Sequence, residues 1–148
     1  MAKHIVVVYG SLMQGLHNHM RLRRGLVSDQ AKYLGDDVIN VPYKMVDLGS
    51  FPGIIPNDED ENASNENIFV EVYECNDHIN EDIEDLEGYN QSSPEKGLYR
   101  KESVSTKYGS GSIYVFNNDD FGGISEVAVE PNPETNIINW REFCTKQY

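Results

Sequence analysis

The sequence predicts an α+β fold. Short β-branched runs bounded by turn signals recur along the chain, apolar stripes at helical spacing interrupt them, and the two kinds of segment follow one another irregularly rather than in strand–helix alternation. With 148 residues, no internal repeat and no linker-like stretch, residues 1–148 are expected to form one domain. A hydrophobic fraction of 39% against 25% charged residues allows a core and speaks against disorder.

The first strand spans residues 4–9, a β-branched run that stops at Gly10-Ser11, with Gly15 five positions later. Asn18 can cap a short basic helix over 19–24, closed by Gly25. Strands are expected at 31–38 and 43–48, before the breaker Gly49-Ser50-Phe51-Pro52-Gly53 and the pair Ile54-Ile55. Residues 57–67 are polar and acidic, without apolar periodicity, and read as an exposed loop. Asp58, Asp60 and Asn62 alternate like calcium ligands, but Ala63 and Phe69 stand where an EF-hand loop needs glycine and glutamate. The clearest later strand is 68–73, with Ile68, Val70 and Val72 on one face and Phe69, Glu71 and Tyr73 on the other. A helix follows: Asn76 or Asp77 can cap it, Ile79, Ile83 and Leu86 form its stripe, and Gly88 ends it. Residues 99–106 and 111–116 read as a hairpin, 117–123 as a turn-rich loop, and 137–146 as a terminal helix that packs Trp140 and Phe143.

Charge and cysteine usage exclude several function classes. A net charge of −13 repels phosphate backbones and anionic membranes, so neither nucleic acid nor membrane is an expected partner. The apolar run Ile5 to Val8 is shorter than the roughly 7–15 residues of a secretory core, and no later segment has spanning length, so a cytoplasmic location is expected. Cys75 and Cys144 lack metal-ligand spacing and read as reduced structural thiols. His4, His17, His19 and His78 are scattered, mostly exposed by this reading, and no metal is expected.

A strand that stops in small residues leaves backbone amides for a carboxylate, a phosphate or a developing oxyanion. Gly10 and Gly15 have phosphate-loop spacing, but Leu16-His17 replaces the lysine and hydroxyl, so nucleotide binding fails. Ser11 lacks the flanking glycines of a nucleophile elbow. Amides alone remain as the chemistry of the turn, beside a glycine that merely lets the chain bend. Glu81, Asp82, Glu84 and Asp85 read as the solvated face of the helix. Glu87 differs, because it lies beside the apolar stripe in the last turn, where the helix dipole disfavours negative charge. If partly buried, its carboxyl would be raised toward neutrality, as general acid–base work requires; a frayed terminal residue is the alternative.

Tyr9-Gly10-Ser11-Leu12, then Gly15, Asn18, Phe51-Pro52-Gly53, Val70-Glu71-Val72-Tyr73, Leu86-Glu87-Gly88-Tyr89 and Tyr114-Val115-Phe116 resemble, in this order, the gamma-glutamylcyclotransferase-like family. The leucine at position 12, with Gly15 and Asn18 downstream, looks like the gamma-glutamylamine cyclotransferase branch. The resemblance implies a small mixed β-barrel flanked by short helices, with the glycine turn and the helix-end glutamate in one cavity. It implies a small γ-glutamyl amine or peptide as substrate, cyclised to 5-oxoproline by attack of its own α-amine, without metal or cofactor. Glu87 would be the catalytic acid/base, and Gly10, Ser11 and Leu12 would bind substrate, with Tyr9 and Tyr114 as walls or hydrogen-bonding groups. Two rival readings stand beside it. One is a non-catalytic module that keeps the anion-binding turn. The other is a hydrolase in which Glu71 faces the same cavity and pairs with the helix-end acids. Arg100 stands one step before the position where many relatives carry arginine, and Lys101 stands at it, so Arg100 reads as an exposed cation without a site role.

Overall fold

Val6, Val7 and Val8 lie at the centre of the molecule because strands flank them on both sides. A computed structural model of the protein describes residues 3–16, 18–47, 52–56, 65–90, 92–93, 97–117 and 127–147. In chain order the elements are β1 (His4–Val8), α1 (Met20–Val27), β2 (Ala31–Val41), β3 (Tyr43–Asp47), β4 (Pro52–Pro56), β5 (Glu66–Cys75), α2 (Asp77–Glu87), β6 (Tyr99–Thr106), β7 (Gly109–Phe116), β8 (Val127–Ala128) and α3 (Trp140–Gln147). A curled five-stranded sheet has the order β2-β5-β1-β7-β6, and a smaller sheet the order β4-β3-β8. β1 pairs antiparallel with β5 and parallel with β7, so the ends of β1 and β7 emerge on the same side.

The mixed α+β class is as the sequence predicts. The barrel is not closed: among the described residues no ladder joins the two sheets. Pro52 and Pro56 at the ends of β4 lack the amide hydrogens such a ladder would use. β5 is buried on both faces, with Val70, Val72 and Tyr73 at 0% exposure. Its core residues therefore form a continuous run rather than a half-buried alternation.

α2 matches its sequence signals. The Asn76 side chain accepts the Ile79 amide at 3.1 Å, and Ile79 and Ile83 are buried. α1 departs from them: Asn18 does not cap it, and it runs through Gly25 to Val27. Gly25 is there for a close approach, because a Cβ would lie 2.8 Å from the Ala31 Cβ and 2.9 Å from the Ile79 Cγ1. Gly25→Val is expected to destabilise the protein by about 1–3 kcal/mol through overpacking. A lowered urea midpoint at unchanged slope would show it.

β2 extends to Val41, and β5 begins at Glu66, taking up the end of the expected acidic loop. Residues 57–64, with Asp58, Asp60 and Asn62, lie outside the described residues, as do Leu48, the breaker residues 49–51 and residues 118–123. α3 starts later than expected because Ile138 forms a parallel bridge with Ile68, and Asn139 then accepts the Arg141 amide at 3.0 Å as its cap. Trp140 and Phe143 stack at 5.2 Å, as anticipated. Cys75 and Cys144 are both free thiols, and burial pushes the Cys75 thiol up to about 12. Among the described residues no helix is long and apolar enough to cross a membrane.

Candidate active site

The turn after β1 is built by its own backbone. Gly10 O accepts the Met13 amide at 3.0 Å, and Met13 O accepts the Leu16 amide at 3.1 Å. Asn18 closes it by donating its backbone amide to Ser11 O at 3.0 Å and its side-chain amide to Ser11 Oγ at 2.8 Å. Those bonds explain why Asn18 caps no helix. The His19 ring bonds Leu12 O at 2.9 Å. Between these ties, the amides of Ser11 and Leu12 have no acceptor among the described residues. Pro52 of β4 lies against Gly10, so close that a Cβ there would come to 2.7 Å from its Cγ.

Glu87 is fixed by the way its helix ends. Gly88 adopts the left-handed conformation at φ 64°, the Tyr89 amide donates to Glu84 O at 2.9 Å, and the Gly88 amide donates to Asp85 O at 3.2 Å. This pair of bonds is a Schellman closure, so the end of α2 is not frayed. Leu98 then donates its amide to Gly88 O at 2.9 Å, bringing β6 alongside.

Turn and helix end meet in one cavity of about 180 Å³. Tyr9, Gly10, Ser11, Leu12 and Asn18 line one wall, Leu86 and Glu87 another, and Pro52, Tyr99 and Tyr114 enclose the rest. Glu87 is the only acid in this lining among the described residues, and no basic side chain joins it. Burial raises its carboxyl from 4.5 to about 7, because the charged form loses solvation there. Burial also raises Tyr9, Tyr99 and Tyr114, with the Glu87 charge adding to each shift, so all three hydroxyls stay protonated.

The tyrosines differ in what their hydroxyls do. Tyr9 donates to Tyr114 O at 2.7 Å and accepts the Ile54 amide at 3.3 Å. Tyr99 donates to Pro52 O at 2.7 Å. Both are therefore committed to the scaffold. The buried Tyr114 hydroxyl has no hydrogen-bond partner among the described residues. Sequence reasoning gave Asn18, Pro52 and Tyr99 no cavity role; the Phe51-Pro52-Gly53 stretch was the one signal near Pro52.

Several readings change. Glu71 is buried but does not line this cavity, so no paired-carboxylate site exists with Glu87. Glu84 is not a solvated acid: it is buried and receives Lys101 Nζ at 2.5 Å, with that ammonium 4.7 Å above the Tyr89 ring. Arg100 is half-buried, donating to Glu102 and Asn117 at 3.0 Å each. His4 pairs with Asp77 at 2.7 Å, and His78 is exposed; His17 lies outside the described residues. Among the described residues no group of three His, Cys, Asp or Glu side chains gathers, and a lone carboxylate is not a metal-ligand set.

Residues 6–137 match the family described as Gamma-glutamyl cyclotransferase, AIG2-like. A Vibrio cholerae protein named "Putative gamma-glutamylcyclotransferase" is 26% identical over 114 residues, 77% of this chain and 83% of that protein. The crystal structure of an AIG2-like protein from Mus musculus superposes with a TM-score of 0.58 at 17% identity, covering 96% of this chain and 99% of the other. The uncharacterized protein PH0828 from Pyrococcus horikoshii gives 0.64 at 21% identity, covering 97% and 95%. At these identities the two structures speak for the fold.

Proposed function

This chain belongs to the gamma-glutamyl cyclotransferase, AIG2-like family and so is an enzyme of the cyclotransferase type, and we propose that it converts a γ-glutamyl amine to 5-oxoproline and the free amine. The observation that carries this reading is one half-buried carboxyl, Glu87, raised toward neutrality by its loss of solvation and lining the same cavity as Ser11 and Leu12, whose amides have no acceptor among the described residues.

The nucleophile belongs to the substrate. Its neutral α-amine attacks the γ-carbonyl carbon, forming the ring C–N bond and placing negative charge on the carbonyl oxygen. The Ser11 and Leu12 amides face that charge as fixed donors. Glu87 takes the proton from the attacking nitrogen and delivers it to the departing nitrogen as the old C–N bond breaks. No side-chain nucleophile is required, which agrees with Ser11 lacking a base beside it: its Oγ receives the Asn18 amide. Holding the substrate folded is the main task, and well-oriented intramolecular reactions reach effective molarities of roughly 10⁵–10⁸ M.

The absence of a basic side chain from the described lining favours a leaving group without a carboxylate, hence an amine rather than an amino acid. Mass spectrometry of 5-oxoproline released from a panel of γ-glutamyl amines and γ-glutamyl amino acids tests both points. Binding without release would instead select a non-catalytic module, and free glutamate would select a hydrolase. Tyr114→Phe removes a buried cavity hydroxyl that has no partner among the described residues and is expected to lower kcat/KM about tenfold, the worth of one hydrogen bond to a charged or polarised group. Steady-state kinetics on folded protein would check it.

A further inference from the structure

We propose that Glu71 is a positioning residue for the amide-bearing turn, and that Arg141 of the C-terminal helix holds it in place. Glu71 is 2% exposed in the middle of β5, the wrong place for a carboxylate unless its oxygens are filled. They are filled from three directions. Oε1 accepts the backbone amide of Gln14 at 2.9 Å and the hydroxyl of Tyr73 at 2.9 Å, and Oε2 accepts Arg141 Nη2 at 2.5 Å.

Gln14 follows immediately on the segment Gly10–Met13, whose central residues Ser11 and Leu12 line the cavity. Its side chain is exposed, so the turn has no apolar anchor at that residue, and the carboxylate takes over that function. The two other ties, Asn18 to Ser11 and the His19 ring to Leu12 O, fix the near half of the turn; Glu71 fixes the far half. Val8, the last residue of β1, is paired with Glu71 across the β1–β5 ladder, so the carboxylate stands beside the strand end that leads through Tyr9 into the turn. Arg141, whose guanidinium also lies 5.9 Å from the Phe69 ring centroid, comes from α3, beyond the end of the family match at residue 137. The C-terminal helix thus becomes part of the apparatus that shapes the site.

The kinetic part of this inference rests on the proposed cyclisation; the structural part does not. The experiment compares Glu71→Leu, Glu71→Gln and Arg141→Met with wild type, each checked for folding by circular dichroism, by amide exchange of Gln14 and by kinetics of 5-oxoproline release. Glu71→Leu is expected to lower kcat about tenfold with KM changed less than about threefold and the pH midpoint of kcat/KM unmoved, since a loosened turn misplaces the oxyanion donors but leaves Glu87 in place. Glu71→Gln, which keeps an acceptor for Gln14, is expected to recover most of the loss. Gln14 exchange should quicken in Glu71→Leu and in Arg141→Met. A folded Glu71→Leu with wild-type kcat and wild-type Gln14 exchange overturns the proposal, as does a loss of activity that follows only the fraction of folded protein. Should Glu71→Leu not fold, Arg141→Met decides by the same two readouts. If wild type releases no 5-oxoproline, the cyclisation reading fails, and Gln14 exchange alone then decides the role of Glu71.

Discussion

Glu87→Gln is expected to lower kcat for 5-oxoproline release by roughly 10²–10⁴-fold with little change in KM, the usual worth of a positioned acid–base group. The amide keeps the shape of the side chain, so substrate can still enter. What it removes is the one group in the described cavity lining that can carry a proton from the attacking nitrogen to the leaving one. Because burial raises this carboxyl to about 7, wild-type kcat/KM should show a rise with pH centred near that value, as the base form becomes populated in the free enzyme, followed by a second rise at about 8 as the substrate's α-amine becomes neutral. The residual rate of the variant should lack the first rise and keep the second. Stopped-time assays of 5-oxoproline across pH 5–9 read both effects. A variant within tenfold of wild type would remove Glu87 from the mechanism.

The same substitution should stabilise the protein, by up to about 3 kcal/mol at pH 8. Glu87 ionises near 4.5 in the unfolded chain and near 7 in the folded one. Between those values the folded state binds the proton that the unfolded state has released, so stability falls as pH rises through the window. Below about pH 4 both states are protonated and the difference vanishes. Above about pH 7 it is complete, and a neutral glutamine escapes it. Urea unfolding of both proteins at pH 4 and pH 8 measures it: equal midpoints at pH 4 and a higher midpoint for Glu87→Gln at pH 8 are expected. Equal midpoints at both values would mean that the carboxyl is not desolvated. A residue that costs stability where it is ionised, in a well-capped helix end, is better explained by chemistry than by packing.

Local signals made α2 and its glutamate legible. Asn76, the stripe Ile79 and Ile83, and Gly88 each act within a few residues, and the structure places them as the sequence suggests. The same holds for β1 and for the hairpin of β6 and β7, whose turn chemistry sits between two β-rich runs. What was hidden depends on partners far along the chain. Gly25 looks like a helix stop, but its missing side chain serves contacts with Ala31 and Ile79. Asn18 looks like a cap, yet Ser11 claims it. Period-two alternation could assign Glu71 a face but not a surrounding, because β5 is covered on both sides and Arg141 lies 70 residues away. Glu84 reads like its solvated neighbours until Lys101 of β6 is folded against it.

The parallel ladder that sets Val7 beside Ile113 has a consequence for biosynthesis. As the chain leaves the ribosome, the first apolar strand must wait for residue 72 before it gains one neighbour and for residue 113 before it gains the other. At about 5–20 residues per second, that second wait lasts roughly 5–20 s, during which a β-branched edge is open to adhesion with other nascent chains. Tyr114 arrives with the strand that ends the exposure, so the wall of the candidate site and the protection from aggregation are completed by the same late event.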